Sequence, residues 1–156
     1  RYIGRTFIEP QQYMRERGVK MKLNALRRNV EGKKVVLVDD SIVRGTTSKK
    51  IIEMLKNAGA KEVHMRISSP PVIAPCYFGI DTASHEQLIG AKNSIEEIRK
   101  LIGADSLYYL SAEDLMETAK DSGIDFCSGC FTKNYPFDVL KEEGKGNKLI
   151  LEQKGC

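Results

Sequence analysis

Asp39 and Asp40 stand side by side after the apolar run Val35-Val36-Leu37-Val38, and Ser41-Ile42-Val43-Arg44-Gly45-Thr46-Thr47 follows at once. A strand of an open α/β sheet presents ligand-binding groups at its C-terminal end. The loop from Ser41 to Thr47 adds three hydroxyls, a permissive Gly45 and several backbone N–H groups. A helix is predicted beyond it, and a helix N-terminus favours an anion. Two acids beside an anion site make little sense for one small ion. They suit a single ligand with a phosphate at one end and vicinal hydroxyls at the other, because carboxylates accept hydrogen bonds from sugar hydroxyls. A ribose 5-phosphate has that form. Two aspartates alone read instead as a turn and a helix cap, where Asp is common; the whole string from Val35 to Thr47 is what speaks for a ligand. Arg44 has two readings, a phosphate ligand or an exposed side chain.

The elements that must hold this string follow from periodicity. Val35 to Val38 is a continuous, β-branched-rich run and predicts a central parallel strand buried on both faces. Ile51, Ile52, Met54, Leu55 and Ala58 form a helical stripe, with Thr46 or Thr47 as its cap and Gly59 as its stop. Val63, Met65 and Ile67 alternate as the next strand, which completes a right-handed βαβ unit. Upstream, Pro10 opens a short helix over residues 11–17, stopped by Gly18. Val19, Met21 and Leu23 then alternate as a half-exposed strand, and Glu31-Gly32-Lys33-Lys34 is a turn.

Downstream, Ser68-Ser69-Pro70-Pro71 stops the second strand, and residues 72–93 read as loop and short helix. Ser94-Ile95-Glu96-Glu97 is a capping box for a helix with Ile95, Ile98, Leu101 and Ile102 inward. Leu107 to Leu110 reads as a strand. Ser111-Ala112-Glu113-Asp114 caps a helix with Leu115, Met116 and Ala119 on one face, ended by Gly123. Residues 121–146 read as loop, and residues 141–148 as a charged tail.

At 156 residues, 41% hydrophobic and 29% charged, the chain can bury a core and is a poor candidate for disorder. The net charge of +4 is mild and its basic residues are interleaved with acids, so no nucleic-acid face is indicated. No apolar stretch is long enough to span a bilayer, and none resembles a secretory signal. That points to a cytoplasmic, reducing setting for the four cysteines. The chain opens on Arg1, which hints at a piece of something longer. Cys127-x-x-Cys130 is a plausible metal pair with Cys76 as a third donor. A structural zinc site, a redox pair and simple buried thiols all fit the spacing; the redox reading is the weakest, because the pair lies in a late loop. His64, between Val63 and Met65, belongs on the polar face of its strand. Neither it nor His85 is assigned a catalytic role.

The thirteen-residue string from Val35 to Thr47 resembles the phosphoribosyl-pyrophosphate (PRPP) signature of type I phosphoribosyltransferases. Other segments narrow the resemblance. Tyr2-Ile3-Gly4-Arg5-Thr6-Phe7-Ile8, Arg66-Ile67-Ser68-Ser69-Pro70-Pro71, Cys76-Tyr77-Phe78-Gly79-Ile80-Asp81-Thr82, Gly103-Ala104-Asp105-Ser106-Leu107 and Cys127-x-x-Cys130-Phe131-Thr132-x-Asn134-Tyr135-Pro136 all look like the amidophosphoribosyltransferase family. The match runs in order over roughly residues 1–138.

The resemblance implies an α/β fold, the second half of a type I phosphoribosyltransferase core over residues 1–110, with a helical and loop extension over 111–156. It implies an enzyme that moves glutamine-derived ammonia onto PRPP, giving phosphoribosylamine and pyrophosphate at the committed step of purine synthesis. By the family pattern, Asp39 and Asp40 are catalytic, hold the ribose hydroxyls and contribute to a Mg²⁺ site. Ser41, Val43, Arg44, Gly45, Thr46 and Thr47 belong to the loop that cradles the 5-phosphate. Tyr2, Ile3, Gly4, Arg5, Thr6 and Phe7 match a flexible loop that closes over PRPP. Cys76, Cys127 and Cys130 match three ligands of a [4Fe–4S] cluster carried by one subgroup, the fourth lying upstream of residue 1; Cys156 then reads as a tail thiol. The implied partners are PRPP, ammonia from a glutaminase domain outside this chain, and further copies in a homo-oligomer, tetrameric in the family, with neither nucleic acid nor membrane. On this reading the chain alone is inactive, lacking the glutaminase domain and the upstream phosphoribosyltransferase region. The alternatives are another PRPP-dependent transferase, or a module that binds PRPP without turnover.

Overall fold

The computed structural model describes residues 24–80, 82 and 84–137. The expected helix over 11–17, the strand over 19–23, the closing loop from Tyr2 to Phe7, the charged tail and Cys156 lie outside the described residues.

Three strands form one parallel sheet in the order β1-β2-β3, with β1 at Lys34–Asp39, β2 at Glu62–Ile67 and β3 at Ser106–Tyr109. A short helix α1, Arg27–Val30, precedes β1, and α2, Thr46–Asn57, connects β1 to β2. Helices α3, Ile89–Lys92, and α4, Ile95–Ile102, lie between β2 and β3, and α5, Ala112–Thr118, and α6, Gly129–Thr132, follow β3. The expected α/β fold and its βαβ unit are present.

The register explains which face is buried. Val35 pairs with Val63, and Leu37 with Met65 and through it Leu107. Val63, Met65, Ile67 and Leu107 are buried with Ile52 and Leu55 of α2 and with Ile98 and Ile102 of α4. Burying these side chains is the main source of stability, at roughly 1.5–3 kcal/mol for each large apolar group.

Three sequence expectations need correction. First, β1 is an edge strand of the described sheet, and Val36 and Val38 are 62% and 68% exposed. They alternate onto the sheet face that also carries His64, Arg66 and the exposed Tyr108, whose ring lies 4.6 Å from the Arg66 guanidinium. A continuous apolar run signals two-sided burial only when both covering layers are in place. Second, α4 buries Ile98 and Ile102 only; Ile95 and Leu101 are 45% and 51% exposed. Third, the second cysteine of the pair sits in a helical turn, α6, where the sequence reads as loop throughout.

The capping box is present in full. Ser94 Oγ accepts from Glu97 N, and Glu97 Oε2 accepts from Ser94 N at 2.7 Å. Asp105 makes a similar backbone clasp between strands, accepting from Val63 N at 2.7 Å with Lys56 Nζ 3.3 Å away. Those contacts hold its carboxyl below the usual range. Replacing Ser94 by Ala is expected to cost about 1 kcal/mol. Chemical denaturation measures it, and an unchanged midpoint would show that α4 is held by its buried face alone.

His64 sits as expected on the half-exposed face, with Nδ1 2.9 Å from Ser106 Oγ and Nε2 2.9 Å from Glu62 Oε2. It is a strand-pairing residue far from the loop after β1.

Candidate functional site

Asp39 ends β1, and Asp40 is the first residue beyond it. Asp39 Oδ1 accepts from Asp40 N at 3.0 Å, and Ser41 Oγ donates to Asp40 Oδ1 at 3.2 Å. The Asp39 carbonyl accepts from Ser68 N at 3.0 Å and from Ser68 Oγ at 3.3 Å, which ties the end of β1 to the end of β2. Asp39 is half-buried, and that burial, aided by the neighbouring Asp40 charge, pushes its carboxyl above the usual range despite the Asp40 N–H. Two carboxylates held together at a strand end, one of them poorly solvated, form a site that gains from a cation or a sugar hydroxyl.

The loop after them is pinned at two consecutive residues. Ile42 is 2% exposed and belongs to the main core, whereas Val43 packs into a second cluster around Val72 and Leu88. The Val43 carbonyl accepts from Ile89 N at 2.9 Å. Gly45 then takes φ 76°, the left-handed region, and its place is tight. A Cβ there would lie 2.9 Å from Ile89 Cδ1 and 3.4 Å from Ile102 Cγ2.

Helix α2 starts directly after Gly45. The sequence predicts Thr46 or Thr47 as its cap, but Gly45 occupies the N-cap and no side chain caps the helix. Its first turn carries no acidic residue. The initial N–H groups of this helix therefore have no side-chain acceptor of the usual kind, and they face the loop that follows the two aspartates.

Arg44 is exposed, and its Nε donates to Gln87 Oε1 at 2.9 Å. Its exposure agrees with the second sequence reading, and the anchoring to Gln87 is an addition that neither reading contained. Gln87 is 43 residues away in the chain and carries no local motif. Ser68, Gln87, Leu88 and Ile89 all support the loop, and no periodicity or spacing near Asp39 points to them.

The cysteines form a separate neighbourhood that leans on the same loop. The Cys130 carbonyl accepts from Ile73 N at 2.9 Å and Ala74 N at 3.1 Å, and Tyr135 Oη donates to the Pro75 carbonyl at 2.7 Å. Cys76 N donates to Thr82 Oγ1, and Cys76 Sγ accepts from Phe78 N at 3.4 Å. Gly129 lies against the Tyr135 ring so closely that no Cβ fits between them. Cys76, Cys127 and Cys130 are all free thiols. Burial raises the Cys130 thiol, with smaller upward pushes from Cys76 and Cys127. A raised thiol is the opposite of a reactive redox cysteine, whose thiolate is stabilised. The shared electrostatics place the three sulfurs in one neighbourhood. Even so, no group of three or more Cys, His, Asp or Glu among the described residues is arranged to hold a metal ion. The set supplies three soft donors where a cluster takes four.

No helix among the described residues is long and apolar enough to cross a membrane.

Residues 2–68 match the phosphoribosyl transferase domain family. The chain is 58% identical over 145 residues to the amidophosphoribosyltransferase of Archaeoglobus fulgidus, covering 92% of this chain and 32% of that protein. It is 56% identical over 146 residues to the Bacillus subtilis amidophosphoribosyltransferase, covering 91% of this chain and 31% of that protein. Among solved structures, glutamine PRPP amidotransferase from B. subtilis, complexed with ADP and GMP, superposes with a TM-score of 0.74 at 55% identity, over 91% of this chain and 32% of that one. The chain thus spans about a third of the length of the relatives it matches.

Proposed function

Because the chain belongs to the amidophosphoribosyltransferase family and carries its phosphoribosyltransferase-domain region, we propose that Asp39 to Thr47 form the ribose-5-phosphate half of a PRPP site. The observation that carries this reading is the pairing of two strand-end carboxylates with a following helix N-terminus that lacks a side-chain cap. Asp39 and Asp40 accept hydrogen bonds from the ribose hydroxyls. The backbone N–H groups after Gly45, with the Ser41, Thr46 and Thr47 hydroxyls, receive the 5-phosphate. Arg44, steadied by Gln87, lends positive charge to the rim of the loop.

In the reaction proposed for the whole protein, the nitrogen of ammonia bonds to C1 of the ribose as the bond from C1 to the pyrophosphate oxygen breaks. The amine sheds a proton and pyrophosphate leaves with the bonding electrons. Positive charge builds on the ribose ring on the way, and the two carboxylates beneath it favour that state over the neutral substrate. Mg²⁺, when bound, offsets charge on the leaving pyrophosphate, and its preference for oxygen ligands fits Asp39 and Asp40. Tyr2 to Phe7 are proposed to close over the bound sugar and keep water from competing with ammonia. The whole protein would take its ammonia from glutamine through a glutaminase domain outside these residues, and would act as a cytoplasmic homo-oligomer.

A direct assay tests this. The whole protein, supplied with PRPP, Mg²⁺ and ammonium, should release pyrophosphate without glutamine. Saturable PRPP binding with no pyrophosphate above background would favour a regulatory module instead. No binding would overturn the site.

Cys76, Cys127 and Cys130 would hold three corners of a [4Fe–4S] cluster, with a fourth thiolate from outside the chain. What supports the set is that the Cys130 carbonyl accepts from Ile73 N and Ala74 N, which brings the turn carrying Cys130 beside the segment that leads to Cys76. When bound, the cluster would supply folding energy by cross-linking the segment after Pro75 to α6. Cys127→Ser in the whole protein is expected to lower iron content and melting temperature together. Unchanged iron with unchanged melting would remove Cys127 from the set, and one zinc in a colourless protein would replace the cluster reading.

A further inference from the structure

Leu88 is fully buried, and the residues around it come from three separate parts of the chain. Val43 comes from the loop after β1, Val72 from the stretch after Pro70-Pro71, and Cys130 and Phe131 from α6. The contacts are tight on every side. Ile89 N donates to the Val43 carbonyl, and Ile73 N and Ala74 N donate to the Cys130 carbonyl. A Cβ on Gly90 would lie 2.8 Å from the Val72 carbonyl, so α3 sits directly on that strand of chain. The neighbouring Ile89 reaches the opposite way, into the main core and against Gly45. Residues 87–90 therefore form a wedge. Gln87 holds Arg44, Ile89 holds Val43 and flanks Gly45, and Leu88 forms with Val72 the pair against which the cysteine-bearing turn packs.

We propose that Phe131 and Leu88 are positioning residues for the phosphate loop: the packing of α6 on the Val72–Leu88 pair fixes Val43, which packs on the same pair, and through it sets how tightly the backbone of residues 43–47 receives a 5-phosphate. The physical reason is that packed cores shift between discrete arrangements and do not deform smoothly. The backbone N–H groups among the loop's ligands move with the chain itself, so a displaced support shifts them directly, whatever the hydroxyl side chains can absorb. Val43 is the point of transmission because its carbonyl and its side chain are both held by the wedge, while the adjacent Ile42 is anchored independently in the main core. This inference rests on the sugar-phosphate reading of the loop.

The test uses the whole protein with its natural metal content, and two non-reacting or separately measured probes: ribose 5-phosphate, and PRPP with Mg²⁺. Phe131→Ala is expected to weaken both by about tenfold, because the altered support acts on the phosphate end that the probes share. Phe131→Leu, which refills most of the volume, is expected to restore both. Val72→Ala, a smaller excision on the other side of Leu88, should give the same pattern in weaker form and serves if Phe131→Ala does not fold. Iron content is measured alongside, so that loosened affinity at full metal content is read as positioning. A folded Phe131→Ala or Val72→Ala protein that binds ribose 5-phosphate within about twofold of the unchanged protein overturns the inference and leaves the site reading intact. Weakening of PRPP alone also overturns it, since that places the effect at the pyrophosphate end. No saturable binding by the unchanged protein overturns the site reading itself, and this inference with it.

Discussion

Asp39→Asn in the whole protein is expected to lower turnover by ~100-fold or more, the scale lost when a preorganised electrostatic group is removed, and to leave the melting temperature unchanged or higher. The two halves of this outcome have one cause. Asp39 is half-buried beside Asp40, and burial raises its carboxyl above the ordinary value. A raised carboxyl means that the folded state holds the proton more tightly than the unfolded one. Its favourable contribution to folding is then present below the unfolded value of about 4 and is lost as pH rises through the higher folded value. At neutral pH the ionised side chain is a cost to the fold. The amide removes that cost and still offers Oδ1 to the Asp40 N–H. It cannot supply the negative charge that a positively charged ribose ring asks for. Steady-state rates with PRPP and ammonium, beside melting curves from pH 4 to 8, check both halves. A variant that loses several degrees of melting temperature and keeps its turnover would make Asp39 a structural turn residue, the bland reading of the same pair. Asp40→Asn should repeat the loss of turnover; its carboxylate is exposed and, among the described residues, accepts from Ser41 Oγ, so its effect on stability should be small.

Gly45→Ala is expected to damage both stability and binding. Two costs add there. The left-handed backbone at φ 76° disfavours any Cβ by about 1–2 kcal/mol. The Cβ would also press on Ile89 Cδ1 at 2.9 Å and Ile102 Cγ2 at 3.4 Å, and such overpacking costs about 1–3 kcal/mol. Denaturation is expected to show a loss of about 2–4 kcal/mol, since Ile89 can yield part of the overlap. Affinity for ribose 5-phosphate should fall with it, because Gly45 sits at the N-cap of α2 and any backbone shift that relieves the crowding moves the first N–H groups of that helix. Gly32→Ala is the control. Gly32 also has a left-handed φ, 72°, but nothing lies within 4 Å of its Cβ position. It should show the backbone cost alone and normal affinity. Equal costs at Gly32 and Gly45 would mean that the crowding at Gly45 is relieved for free.

The string from Val35 to Thr47 was legible because its information is local. An apolar run, two acids, a short hydroxyl-rich loop and a helical stripe each follow from neighbouring residues, and the structure has the strand, the loop and the helix in that order. The Ser94 capping box was legible for the same reason, since its two hydrogen bonds span three residues. Thr46 and Thr47 misled as caps because local chemistry offers two good candidates, whereas the left-handed turn at Gly45, set by its fit against Ile89 and Ile102, begins the helix one residue earlier. The edge position of β1 in the described sheet was hidden because a sequence shows which side chains are apolar but not which layer lies opposite them.

The sequence by itself determined the parallel βαβ unit, the two strand-end carboxylates and the family to which they belong. Each depends on residue type, order and short-range spacing. Tertiary structure alone decided what supports them. Gln87 on Arg44, Ser68 on Asp39, and Val43 and Phe131 on the Val72–Leu88 pair join residues tens of positions apart. Such contacts arise only when β2 pairs with β1 and when the chain around residues 87–92 and α6 pack beside the loop after β1, and nothing in the spacing of one segment encodes where another will pack.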